Sequence, residues 1–306
     1  VIVKVRSPNR SISNGFLVAL ALAFLAGCAS SPQGSAPGPS SGLHVLVTIS
    51  TFESFARAVG GDRVTVDSLV PIGASPEDYQ PSPPDIDKLH AADILIENGV
   101  GLEVWLDRTV ENAKNASLAI VTATKGLPVK NGNPHLWMDP ELARGYVRNI
   151  RDAFVARDPA GKAVYLRNAA AYDAKLVELE REIARKVATI PSASRSMIVF
   201  HNAWQYYDDR FGLRTIGVLE LSPGQEPNPQ YVSQLIGLAK SNHVRAVFAE
   251  PEYSPKLVDS LAESAGISTV ENLYDDSLGT DAHVLTYESM LRYDTDTIVR
   301  ALGGHA

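Results

Sequence analysis

The stretch DPAGKAVYLRNAAAYDAKLVELEREIARKVATIP, Asp158 to Pro191, decides the fold. It reads as one long helix. Asp158 is placed to cap it, and Pro159 falls at the first helical position, where proline gives up no hydrogen bond. Apolar side chains recur at helical spacing at Tyr165, Tyr172, Leu176, Leu179, Ile183, Val187 and Ile190, with charged residues between them. Pro191 stops it. About 30 residues at ~1.5 Å rise make a rod of roughly 45 Å, the span of a domain. The blocks on either side are of similar length, and each alternates strand-like with helix-like patterns. The segment is therefore read as a strut, 158–191, joining two α/β lobes. A coiled-coil arm is the other reading, but the apolar stripe lasts too few heptads for it.

Working outward, the first lobe spans 43–157. Strand patterns lie at 44–49, 64–70, 93–97 and 118–121, with helical patterns at 52–59, 84–91 and 102–113. Asp139-Pro140 opens a further helix to about Arg157. The second lobe, 192–306, repeats the plan, with strands at 197–200, 215–219, 246–249 and 268–270. Its helices fall at 203–211, 228–241, 255–265 and about 286–302. Regular alternation of strand and helix predicts parallel sheets. No Gly-rich phosphate loop follows any of these strands.

Upstream, residues 1–28 read as an export signal. Lys4, Arg6 and Arg10 precede an apolar run from Phe16 to Ala26, too short to span a bilayer. It ends in Leu25-Ala26-Gly27-Cys28, small residues before a lone cysteine, as in a bacterial lipoprotein box where the cysteine is lipidated. An ordinary signal peptide with an incidental cysteine is the alternative. Residues 29–42 are Ser, Pro and Gly without apolar period and read as a disordered tether. Cys28 is the only cysteine, which excludes intrachain disulfides and cysteine metal clusters. The formal net charge is -7; without the three basic residues of the signal, 25 of the 28 basic residues remain against 35 acidic ones. Such a surface argues against nucleic acid.

In open α/β sheets, ligands bind beyond the carboxyl ends of the strands. The polar candidates there are Glu77 and Asp78 in GASPEDYQPSPPD, His135 in NPHLWMDP, His201 in HNAWQYY, and Asp275 and Asp276 in LYDDSLG. Two loops come from each lobe. Two imidazoles with one or two carboxylates suit a first-row divalent metal such as zinc, manganese or ferrous iron. Each group also has an ordinary reading: a hydrogen-bonding histidine, a solvated glutamate, or an aspartate capping a turn before Gly279. His44, His90, His243, His283 and His305 sit at strand-start, helix-face or tail positions and receive no role.

Five motifs then resemble, in order, those of the solute-binding lipoproteins of zinc and manganese ABC importers. They are Gly73 to Pro81; Asn98-Gly99 with Gly101-Leu102-Glu103 and Trp105; Pro134-His135-Leu136-Trp137-Met138-Asp139-Pro140; Phe200-His201-Asn202-Ala203-Trp204; and Asp276-Ser277-Leu278-Gly279. The resemblance covers about Leu43 to Leu302. It implies two Rossmann-like lobes with parallel sheets on one backbone helix, a metal in the interlobe cleft and little hinge motion. It also implies that His135, His201 and Asp276 are ligands. At the first ligand position the family usually has His, and this chain has Glu77; Asp78 or water is the alternative there.

The function implied is an extracytoplasmic receptor, a monomer on a lipid anchor in the periplasm or on the outer face of the cytoplasmic membrane. It would deliver Zn2+, or alternatively Mn2+ or Fe2+, to an ABC permease, and it would catalyse nothing. His at position 201 leans toward zinc; the pairing of two nitrogens with two carboxylates approaches the manganese arrangement. A secreted metallohydrolase using Asp78, Glu220 or Glu250 as general base is the competing enzyme reading. A surface adhesin with a structural metal and a siderophore or corrinoid receptor are two further ones.

Overall fold

The structure, a computed structural model, describes residues 42–305. The expected export signal, Cys28 and the expected tether, up to residue 41, lie outside the described residues.

The first block runs β1 (Leu43–Val47), α1 (Ser50–Gly60), β2 (Val64–Ser68), α2 (Pro83–Ala91), β3 (Ile94–Glu97), α3 (Leu106–Ala113), β4 (Ala119–Thr122) and α4 (Pro140–Arg157). The helix α5 (Lys162–Ala188) follows. The second block runs β5 (Ser196–Val199), α6 (Gln205–Phe211), β6 (Arg214–Val218), α7 (Pro229–Ser241), β7 (Ala246–Phe248), α8 (Lys256–Ala265), β8 (Ser268–Val270) and α9 (Tyr287–Ala301). Among the described residues the strands form two four-stranded sheets, ordered β2-β1-β3-β4 and β6-β5-β7-β8, and every pairing there is parallel. Val45, Val47, Ile94, Ile96, Met197 and Val199 point into one continuous core; Leu46, Leu95 and Ile198 fill the opposite faces. Burial on both faces explains why these strands read as apolar runs.

The strut differs at its start from the sequence expectation. The α-helix begins at Lys162, and Asp158 caps a 3-10 turn, Pro159–Gly161, by accepting from the Gly161 amide. The reason lies in the other partners of Asp158. Its Oδ2 holds the Arg63 guanidinium at 2.6 Å and the Tyr165 hydroxyl at 2.6 Å. A side chain at Gly161 would meet Arg63, Asp158 and Tyr165 at 2.5 Å, so the turn closes tightly around a residue with no Cβ. From Lys162 onward the predicted stripe holds: Tyr165, Tyr172, Leu176, Leu179, Ile183 and Val187 are all buried. Each fully buried Leu, Ile or Val contributes roughly 1.5–3 kcal/mol.

The same core cluster takes Phe55 and Ile150 from the first block, the α5 stripe, and Met197, Val199 and Leu291 from the second. The last helix, α9, packs on α5 and on α1, and its Tyr287 ring stands edge-on to Phe55 at 4.8 Å. Tyr287 also donates to the Trp137 carbonyl at 2.6 Å, and Trp137 donates to the Asp275 carbonyl at 2.9 Å. The two sheets are thus joined by apolar packing and buried hydrogen bonds as well as by α5.

Candidate metal centre

Four loops follow β2, β4, β5 and β8, all at strand carboxyl ends, where parallel sheets present ligand-binding groups. They bring Glu77, His135, His201 and Asp276 to the interlobe cleft.

His135 is set by Asn133, whose Oδ1 accepts from the His135 amide at 2.9 Å and faces Nδ1 at 3.1 Å. Asn98 Nδ2 donates to the Pro134 carbonyl at 3.0 Å, and Asn98 is itself fixed by Tyr146 and Glu103. Glu103 accepts from Thr48 and from the Asn98 and Gly99 amides. The Asn-Gly-x-Gly-Leu-Glu motif therefore ties the ends of β1 and β3 to the histidine loop. His201 leaves β5 directly, and its Nδ1 lies 2.5 Å from Glu250 Oε2. The acceptors on both Nδ1 atoms call for a proton there, which turns both Nε2 atoms toward each other, 3.1 Å apart.

Asp276 completes the group. Its Oδ1 lies 3.3 Å from His135 Nε2, and its Oδ2 lies 3.7 Å from His201 Nε2. His135, His201 and Asp276 are all buried, and among the described residues no hydrogen bond reaches either Asp276 oxygen. Two ligand atoms at ~2.0–2.1 Å from a tetrahedral zinc stand about 3.3 Å apart. The distances 3.1, 3.3 and 3.7 Å bracket that value. His201, Glu250 and Asp275 form a second group with ligand-like proximity. There the 2.5 Å Nδ1–Oε2 contact is a direct hydrogen bond, too short for an ion between the atoms.

The electrostatics follow from this packing. Burial alone would lower the His201 pKa, but Glu250, Asp275 and Asp276 outweigh it and raise it well above the ordinary histidine range. Burial would raise Asp276; the approach of His135 and the charge of both imidazoles hold it below the usual value. Asp275 is pushed well up by burial and by Glu250. Its Oδ1 receives the Asp276 amide at 2.6 Å, which aims the neighbouring carboxylate.

Glu77 is half-buried and lines the same cavity, of about 700 Å³, as His135 and His201. It is not part of the tight three-atom group. Burial raises its carboxyl, Asp276 adds to this, and both histidines oppose it. Its loop is held by Trp105, which donates to the Pro76 carbonyl at 2.8 Å. Asp78 faces elsewhere: it is exposed, and its Oδ2 would lie 3.7 Å from a Cβ at Gly224, beside a neighbouring cavity of about 320 Å³. Sequence reasoning missed Glu250 and Asn133 as the groups that orient the two imidazoles. Glu250 lies just past β7, and only the sheet order that sets β7 beside β5 brings it against His201, so the sequence carries no signal for it.

The family described as "Zinc-uptake complex component A periplasmic" matches residues 45–301. The chain belongs to this family. Among its relatives, the manganese-binding lipoprotein MntA of Halalkalibacterium halodurans is 31% identical over 298 residues, covering 96% of this chain and 99% of MntA. The iron-binding protein YfeA of Yersinia pestis is 33% identical over 269 residues, covering 85% of this chain and 86% of YfeA. A crystal structure of ZnuA superposes with a TM-score of 0.78 at 30% identity, covering 86% of this chain and all of that one.

Proposed function

We propose that this family member is an extracytoplasmic receptor that captures Zn2+ and delivers it to the membrane permease of an ABC-type importer. The observation that carries the reading is the trio of His135 Nε2, His201 Nε2 and the Asp276 carboxylate. These atoms stand at tetrahedral ligand spacing, and both aspartate oxygens are buried and have no donor among the described residues. Glu77 supplies the fourth ligand from the loop after β2. Two neutral imidazoles and two carboxylates neutralise a divalent cation, which limits the cost of burying it. The raised pKa of His201 places a proton on that ring at neutral pH, so capture exchanges this proton for the metal. Four protein ligands leave no position for an activated water, and the reading assigns no catalysis. Loop movement at Glu77 opens the site, because the shared core resists lobe rotation. Cys28, at the end of the export signal, is lipidated and anchors a monomer outside the cytoplasmic membrane; the lipoprotein name of the manganese-binding relative supports this.

Mn2+ or Fe2+ is the second reading. It is favoured by Glu77, an oxygen donor where the family resemblance calls for histidine, and by the relatives named for manganese and iron. The test is metal content and competition on the chain from Ala29 onward, stripped and then offered Zn2+, Mn2+ and Fe2+. One tightly held Zn2+ per chain is expected, lost in His201→Ala, weakened in Glu77→Ala and unchanged in Asp78→Ala. Absence of stoichiometric metal overturns the receptor reading.

A further inference from the structure

Glu220 lies just past β6, beside the end of β5 that carries His201: its amide donates to the Phe200 carbonyl at 2.8 Å. The residue is 7% exposed. One oxygen, Oε1, is accounted for by the Gly224 amide at 2.8 Å, which closes the turn over residues 221–224. The other, Oε2, is buried and among the described residues has no donor. A buried carboxylate oxygen without a partner costs stability unless it serves a ligand. Glu220 lines the cavity that holds Glu77, His135 and His201, and it also borders the neighbouring cavity shared with Asp78 and Tyr253. Burial pushes its carboxyl up; the Gly224 amide and His201 oppose this, and Glu77 adds to it. Glu220 and the half-buried Glu77 thus share one cavity with His135 and His201, whose common partner Asp276 is buried beside them.

We propose that Glu220 and Glu77 form an outer station for the divalent cation. Both carboxylates hold the hydrated ion first. Glu77 then carries it onto His135, His201 and Asp276, while Glu220 releases it and stays behind. No covalent bond changes; the ion exchanges waters and Glu220 for imidazole nitrogens and Asp276. Oxygen-only first contact suits an ion that still keeps water ligands. The inference rests on the receptor reading for its second step alone.

The test uses the full chain in detergent and Mn2+, counted as bound ion by the loss of the aqueous paramagnetic resonance signal. Wild type, His135→Ala/His201→Ala, and that double variant with Glu220→Gln are compared. The double variant is expected to keep one weakly held Mn2+ per chain, and adding Glu220→Gln is expected to abolish it. No weak ion in the double variant, or one indifferent to Glu220→Gln, overturns the outer station. Tight binding by wild type together with that result leaves the receptor reading standing. Loss of tight binding with the Glu220-dependent weak ion retained does the reverse. The single variant Glu220→Gln gives an independent readout, since a neutral amide at a buried site should not impair folding. Its Zn2+ association, followed by stopped-flow tryptophan fluorescence, should slow roughly tenfold, the low end of the gain a charged cleft gives a cation. An unchanged association rate contradicts the proposal.

Discussion

Replacing Glu250 by Gln removes the charge behind His201 while keeping an acceptor of the same shape. The Glu250 oxygen lies 2.5 Å from His201 Nδ1, and both side chains are almost wholly buried. Across the ring and one metal–nitrogen bond of ~2.0 Å, the carboxylate stands ~6 Å from an ion on Nε2. In the metal-free protein it already faces an imidazolium, so a divalent ion adds one further unit of charge. Two unit charges at ~6 Å and an effective dielectric of ~20 interact by about 2.8 kcal/mol. The expected loss is therefore about 100-fold in Zn2+ affinity, at the upper end of the 10–100-fold range for groups that orient metal-binding histidines. Competition against a fluorescent zinc chelator at neutral pH measures it, and circular dichroism confirms the fold. Wild-type affinity in Glu250→Gln would refute the reasoning, because His201 would then need no charged partner to present Nε2.

Further expectations concern protons and the core. Capture of Zn2+ should release about one proton, and affinity should fall about tenfold per pH unit below the raised His201 pKa; calorimetry in buffers of different ionisation enthalpy reads this. Leu179, fully buried on α5, should cost about 2–5 kcal/mol as Leu179→Ala. Melting should remain a single transition, because the core is continuous across both sheets; two separate transitions would contradict that. Asp208 is pushed up by burial to about 7, and its Oδ1 is among the described buried oxygens that have no donor. Its folded form keeps a proton that the unfolded chain releases near pH ~4, so stability should fall as pH rises from ~4 to ~7 and then level off. The drop is at most about 4 kcal/mol, and Asp208→Asn should flatten it in melts taken across that window.

Much of this was written locally in the chain. The α5 stripe and the apolar strand runs carry their own periods, and Asp139 caps α4 through the Glu141 amide as its sequence position suggests. Where a side chain answers to distant partners, local reading stops short. Asp158 looks like an α-helix cap, yet Arg63 draws it into a 3-10 turn. The same limit governs the site. His135, His201 and Asp276 stand out as polar residues at strand ends, but their meeting depends on sheet order. β5 lies beside β7, so Glu250 comes against His201, and β8 beside β7 brings Asp276 within reach. No residue spacing encodes that adjacency. Glu250 and Asn133 escaped for this reason: one reads as a spare carboxylate, and the other carries no signal of its own in NPHLWMDP.

The most direct test of the account is anomalous diffraction from crystals grown with Zn2+, recorded on both sides of the zinc absorption edge. The account predicts one strong difference peak about 2.0–2.2 Å from His135 Nε2, His201 Nε2 and the Asp276 carboxylate, with Glu77 closing the fourth side. A peak on the Nδ1 side of His201, between Glu250 and Asp275, or no peak in the cleft, would contradict it.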